Sequence, residues 1–177
     1  MRRISRKKTF ITASVSIAAA VILTIFSGHI ALRHWNVGEA CSLDARLYYA
    51  ANHWELQISG AGEMKNLNSD GVKLAWHRDL YNLSAGWTIP IQEIHIEEGV
   101  TSVSERAFVD MKSLSVVYLA GSIRTIRENA FRNCSNVEQV YYNGTTQQWS
   151  EVSLEESWNR DSSISEIICL DGVVDLA

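Results

Sequence analysis

The sequence predicts a mainly β protein: a short capped solenoid with a parallel sheet, preceded by one N-terminal transmembrane helix. Three observations predict it. A 23-residue period governs the apolar positions between Ile94 and Tyr142, an uncharged apolar run covers Thr9–Leu32, and short segments around and within the period alternate like strands.

The chain opens on residues 1–8, a basic stub with five positive charges and no acid. Residues 9–32 come next, 24 positions rich in Ile, Val, Ala and Phe with no formal charge. As a helix rising about 1.5 Å per residue this run reaches roughly 36 Å, enough for a hydrocarbon core of about 30 Å. Basic flanks stay in the cytoplasm, so everything beyond Arg33 is expected outside the cell. The rival is a cleaved signal peptide, which would leave the rest secreted. Its apolar region usually spans about 7–15 residues, and a cut after Ala31 would put His29 where a small residue belongs. An uncleaved signal-anchor is therefore the preferred reading, and both readings export the remainder of the chain. Trp35, just past the run, suits a membrane-interface belt.

Residues 33–47 read as a juxtamembrane spacer and residues 48–90 as an N-terminal cap. Within the cap, Tyr48–Ile58 settles into alternation at Trp54, Leu56 and Ile58 and runs into a Gly60-x-Gly62 turn. Residues 65–90 are irregular, punctuated by Asn, Ser, Asp and Gly.

Residues 91–143 hold the repeats. Ile94 falls on Val117 and then Val140; Ile96 falls on Leu119 and then Tyr142. Val100 meets Ile123, Val103 meets Ile126, Leu114 meets Val137, and Ala107-Phe108 meets Ala130-Phe131. A fixed period of this length marks one supersecondary unit that buries its apolar face only by stacking on a neighbour. Glu93–Glu97, Val116–Ala120 and Gln139–Asn143 alternate with period two and are expected side by side in a parallel sheet. Val100–Val103 and Ile123–Ile126 make a second, shorter edge. Ser104–Asp110 and Arg127–Asn133 read as turns whose Phe108 and Phe131 stack on each other.

Residues 144–177 form a C-terminal cap, a polar stretch leading to an apolar strand over Ile164–Leu170. Trp54, Trp76, Trp87, Trp149 and Trp158 all fall in the two caps, where large rings close the ends of a core.

Charge narrows the partners. Residues 37–177 hold all 20 acids and 10 of the 16 Lys/Arg, a net of −10 with His neutral. Nucleic acid is excluded as a partner because phosphate binding needs clustered positive charge. Of the three cysteines, Cys134 takes the place of Met111 in the repeat and reads as a small buried residue. A Cys41–Cys169 bridge tying the domain ends is one option that sequence alone does not establish.

The pattern (V/I)-x-x-(V/I)-x-x-x-A-F-x-x-(M/C)-x-x-(L/V)-x-x-V-x-(L/Y) resembles the bacterial surface-antigen, or BspA-like, leucine-rich repeat. WELQISGAGEM with the later Gly86-Trp87 is similar to the cap that precedes such repeats, and VYYNGTTQQWSEV with SEIICLDGVV to their closing segment. The resemblance covers about residues 48–173. It departs from the family pattern at Ala120, where a proline is usual, at Ser104 and Arg127, where a glycine is usual, and at Gly86. It implies a leucine-rich-repeat solenoid at a bacterial cell surface that binds rather than transforms its partner.

Catalytic and metal chemistry find no foothold. The five histidines pair at no metal-ligand spacing, no C-x-x-C or G-x-S-x-G occurs, and Gly60-Ala61-Gly62 lacks the rest of a dinucleotide fingerprint. A Cys134–His95 dyad would join an interior thiol to a surface imidazole. The expectation is a protein that is not an enzyme and carries no cofactor.

One constellation suggests binding. With Ile94/Ile96, Val117/Leu119 and Val140/Tyr142 inward, His95, Tyr118 and Tyr141 point outward, one per strand, about 4.8 Å apart. Glu93, Val116 and Gln139 form a parallel row beside them. Such a row is either a platform for a protein or glycan or a set of cross-strand pairs stabilising the sheet by about 0.2–1 kcal/mol each. The candidate ligand-binding residues are His95, Tyr118, Tyr141, Glu93 and Gln139. The expected role is cell-surface recognition of an extracellular protein or glycan; the alternative is a membrane-anchored structural or accessory subunit of an envelope complex.

Overall fold

The computed structural model describes residues 31–38, 42–66, 89–137 and 139–176. The apolar residues that recur every 23 positions build an eight-stranded sheet ordered β1-β2-β3-β4-β6-β8-β10-β11, backed by a three-stranded sheet ordered β5-β7-β9. The long sheet comprises β1 (Ala31–Asn36), β2 (Leu43–Ala50), β3 (His53–Gly60), β4 (Ile91–Ile96), β6 (Val116–Ala120), β8 (Gln139–Asn143), β10 (Glu166–Cys169) and β11 (Gly172–Asp175). The short sheet comprises β5 (Ser102–Val103), β7 (Thr125–Ile126) and β9 (Ser153–Leu154). Neighbours from β3 to β10 run parallel, as do all three short strands, and both ends of the long sheet close with antiparallel strands.

The register obeys the sequence period. Ile94 pairs with Val117 and Val117 with Val140, and Ser102 pairs with Thr125. The third step is longer, because Val140 pairs with Ile167 and Thr125 with Ser153. The added residues form α1 (Thr146–Ser150), a single helical turn. A capping box starts it: the Thr145 hydroxyl accepts from Gln148 N–H and the Gln148 side chain accepts from Thr145 N–H. Three solenoid coils result, where the sequence showed two full repeats.

Between the sheets lies one core. Ile94, Val117, Ile123, Ile126, Phe108, Leu114 and Val137 are fully buried, and Phe131 nearly so. Burying each such side chain contributes about 1.5–3 kcal/mol. Phe108 and Phe131 meet at 5.1 Å with planes tilted by 34°, as the repeat requires. Each convex turn carries two left-handed residues 23 positions from their counterparts: Arg106 and Asp110, then Asn129 and Asn133. These bends keep Phe108 N–H bonded to the Ala130 carbonyl and Asp110 N–H to that of Arg132. Cys134 is buried, its thiol donating to the Phe108 carbonyl at 3.0 Å, and desolvation pushes it up to about 12.

The N-terminal cap departs from the sequence expectation. Much of residues 33–47, expected as a spacer, lies in the sheet: β1 takes Ala31–Asn36 and β2 begins at Leu43. Leu43, Ala45 and Leu47 alternate inward with Asp44 and Arg46, so this segment has a strand pattern of its own. Trp35, expected in a membrane-interface belt, is instead packed in the core with 8% exposure. The alternating residues Trp54, Leu56 and Ile58 lie in β3, while residues 48–50 close β2. A two-residue turn at Ala51-Asn52, both at positive φ, folds β2 back on β3 and pairs Ala50 with His53.

Residues 9–30 of the expected anchor lie outside the described residues; its last two, Ala31 and Leu32, belong to β1. Among the described residues no helix is long and apolar enough to cross a membrane. Residues 67–88 of the cap, with Trp76, Gly86 and Trp87, also lie outside them. A Cys41–Cys169 bridge is not formed. Cys169 is a free, buried thiol on β10, and Cys41 lies outside the described residues.

Candidate functional site

Alternation on the parallel strands sends every second side chain away from the core. On β4, β6 and β8 those side chains are His95, Tyr118 and Tyr141, in direct register. Their rings form a ladder. His95 and Tyr118 lie 4.4 Å apart at 23°, and Tyr118 and Tyr141 lie 5.2 Å apart at 15°. Tyr118, in the middle, is 37% exposed. Burial comes first among the causes that raise its phenol above the ordinary tyrosine value, then Glu93, Tyr141 and Glu55.

The flanking row is Glu93, Val116 and Gln139, again in register. Gln139 is tied to the ladder, its side-chain oxygen accepting the Tyr141 hydroxyl at 2.7 Å. Glu93 joins a small polar cluster that sequence spacing did not reveal. His95 Nε2 lies 3.3 Å from Glu93 and 3.7 Å from Glu55, and His53 Nε2 lies 3.4 Å from the other Glu93 oxygen. His95 is half-buried between these carboxylates. The parallel pairing of β3 with β4 brings the cluster together by setting Glu55 opposite Glu93 and Gln57 opposite His95. The Gln57 amide then donates to Glu97 at 2.9 Å.

Beside the ladder, at the C-terminal ends of the strands, opens a cleft of about 360 Å³. Its walls include His95, Tyr118, Tyr141, Glu97, Glu98, Asn143, Ile168 and Leu170. Glu98 stitches adjacent coils by accepting from Gly121 N–H at 2.8 Å and from the Asn143 amide at 3.4 Å. Leu170, on the turn after β10, is 70% exposed and gives the cleft an apolar lip. Glu55, Glu97, Glu98, Asn143, Ile168 and Leu170 are site residues that sequence reasoning missed. Glu98 occupies one register position, Asn143 another two coils on, and only the folded stack joins them.

Cys134 and His95 do not meet as a dyad, since Cys134 lies in the core and bonds a backbone carbonyl. Among the described residues no group of three or more His, Cys, Asp or Glu could hold a metal ion. The arrangement offers rings, carboxylates and a cleft, which is the chemistry of binding.

The chain is similar to known leucine-rich repeat proteins. The family model described as the BspA type leucine rich repeat region matches residues 86–169, in six copies. Among solved structures, a leucine-rich repeat protein from Eubacterium ventriosum ATCC 27560 has 16% identity and a TM-score of 0.47. That similarity covers 79% of this chain and 40% of the other. No curated protein matches the chain at a significant level. Residues 86–169 of this chain are a BspA-type leucine-rich repeat region.

Proposed function

We propose that this protein is a non-catalytic recognition module that binds an extracellular protein or glycan through the outward face of its long sheet. The apolar run before β1, residues 9–30, tethers it to the membrane, with the repeat domain outside. The observation that carries this reading is the ring ladder His95–Tyr118–Tyr141 standing beside an open cleft on a parallel sheet. Solenoids present such extended surfaces to partners, and their cores supply rigidity rather than chemistry.

The test is a substitution scan of the full chain displayed on cells, scored for surface exposure, thermal melting and partner capture. Loss of capture confined to His95, Tyr118, Tyr141 and their neighbours, at unchanged melting, supports the reading. Loss confined to the caps or to residues 9–32 would instead mark an accessory subunit docked through those parts.

A further inference from the structure

We infer that the occupant of the cleft is an extended basic peptide segment of a partner protein, its Arg or Lys side chains running along the ladder to Glu97 and Glu98. This rests on the sheet-face reading and narrows its two ligand classes to one.

The rings themselves argue against a glycan. Sugars stack on open aromatic faces, but here the faces are already used. Tyr118 has His95 on one side at 4.4 Å and Tyr141 on the other at 5.2 Å, with planes within 23° and 15° of parallel. Beyond Tyr141 the next residue in register is Ile168, an aliphatic neighbour. A ladder closed in this way offers a ligand mostly ring edges rather than faces, so what packs on it is an apolar stem, with any charge carried beyond the rings. Edges suit the methylene stem of a long side chain, and an apolar lip is supplied by Leu170.

Charge completes the selection. The described residues around the cleft include Glu97 and Glu98 and no lysine or arginine. Glu55 and Glu93 extend the negative side past His95. Both Glu97 and Glu98 are exposed, and their bonds go to amides: Gln57 for Glu97, Gly121 and Asn143 for Glu98. Arg124, on the coil that carries Gly121, is committed to the carbonyls of Gly121 and Ile123 at 2.8 Å each. A guanidinium or ammonium arriving along the rings therefore meets carboxylates without a resident cation to displace. A net charge of −10 over residues 37–177 adds long-range attraction for the same kind of partner.

The full chain in detergent would be titrated with two probes, the peptide acetyl-Arg-Ala-Arg-Ala-Arg-amide and chitotetraose, monitoring the ring resonances of isotope-labelled tyrosine. The inference predicts that the peptide shifts Tyr118 and Tyr141 while the tetrasaccharide does not. It also predicts that raising salt from about 0.05 to about 0.5 M weakens peptide binding, as screening of exposed charges requires. Glu97→Gln with Glu98→Gln keeps the side-chain length and one acceptor oxygen at each position while removing both charges, and should weaken the peptide by about tenfold. Peptide binding unchanged in that variant would overturn the inference. Tetrasaccharide shifts without peptide shifts would overturn it while upholding the sheet face. Shifts with neither probe would sink both.

Discussion

Trp158 stands where the repeat has alanine, and its ring closes the column begun by Phe108 and Phe131. Phe108 N–H bonds to the Ala130 carbonyl, and Phe131 N–H bonds in the same way to the Trp158 carbonyl. The indole meets Phe131 edge-on at 6.1 Å and 87°. Trp149 then meets Trp158 at 6.5 Å and Tyr142 at 5.2 Å, carrying the aromatic chain back to the long sheet.

Phe131 is the middle ring of that column and touches both a repeat and a cap. Phe131→Ala should destabilise the fold by about 3–5 kcal/mol through the cavity it opens. Denaturant unfolding monitored by tryptophan fluorescence measures it directly. An unchanged midpoint would contradict a stacked core.

Coil spacing depends on Gly121. A Cβ there would lie 2.4 Å from the Asn143 carbonyl oxygen, which belongs to the next coil's backbone and has little room to yield. Gly121→Ala should therefore cost about 1–3 kcal/mol. Gly172→Ala is the control, because its nearest neighbour is a Thr146 methyl at 3.5 Å and the change should stay within about 0.5 kcal/mol.

The thiols give a chemical test of burial. Desolvation pushes Cys134 up to about 12, so its thiolate is scarce at neutral pH and the group is shielded as well. Alkylation of Cys134 in the native protein should be slow and should accelerate with unfolding. The neutral thiol is favoured by folding, so its contribution is present below the ordinary thiol value and is lost as pH rises towards about 12. Peptide mapping of the same samples should find Cys169 alkylated after unfolding without reductant; a disulfide-linked Cys41–Cys169 peptide would contradict the free Cys169 thiol.

Tyr118 should ionise above the ordinary tyrosine value because burial, then Glu93, Tyr141 and Glu55, disfavour its phenolate. A raised acid favours the folded state below its unfolded value, and that benefit is lost as pH rises through the folded value. The ultraviolet difference titration of wild type minus Tyr118→Phe isolates this one group. A step at or below the ordinary value would contradict the burial of Tyr118 in the ladder, the first cause of its shift, together with the carboxylate field beside it.

The repeats were legible in sequence because each inward position recurs at a fixed step, and hydrophobic burial tolerates little else there. The register that pairs His95 with Tyr118 and Tyr118 with Tyr141 came from the same step. Elements outside the period were harder. β1 and β2 are antiparallel strands with no counterpart in the repeat, and the turn at Ala51-Asn52 reaches positive φ without the glycine that usually announces it. The closing strand β11, GVVD, is too short and too exposed to signal burial. The carboxylate cluster was hidden for a different reason. Glu55 reaches His95 only because β3 joins the parallel stack across an interval unrelated to 23, so no spacing rule predicts the meeting.

The central question is whether the outward ladder is where a partner binds. The full chain in detergent and its Tyr118→Ala/Tyr141→Ala variant, matched in thermal melting, would be used side by side as baits for envelope and host-surface extracts. Binding at the sheet face predicts a partner held by the native bait and lost by the variant. Equal capture by both would contradict it and move the site to the caps.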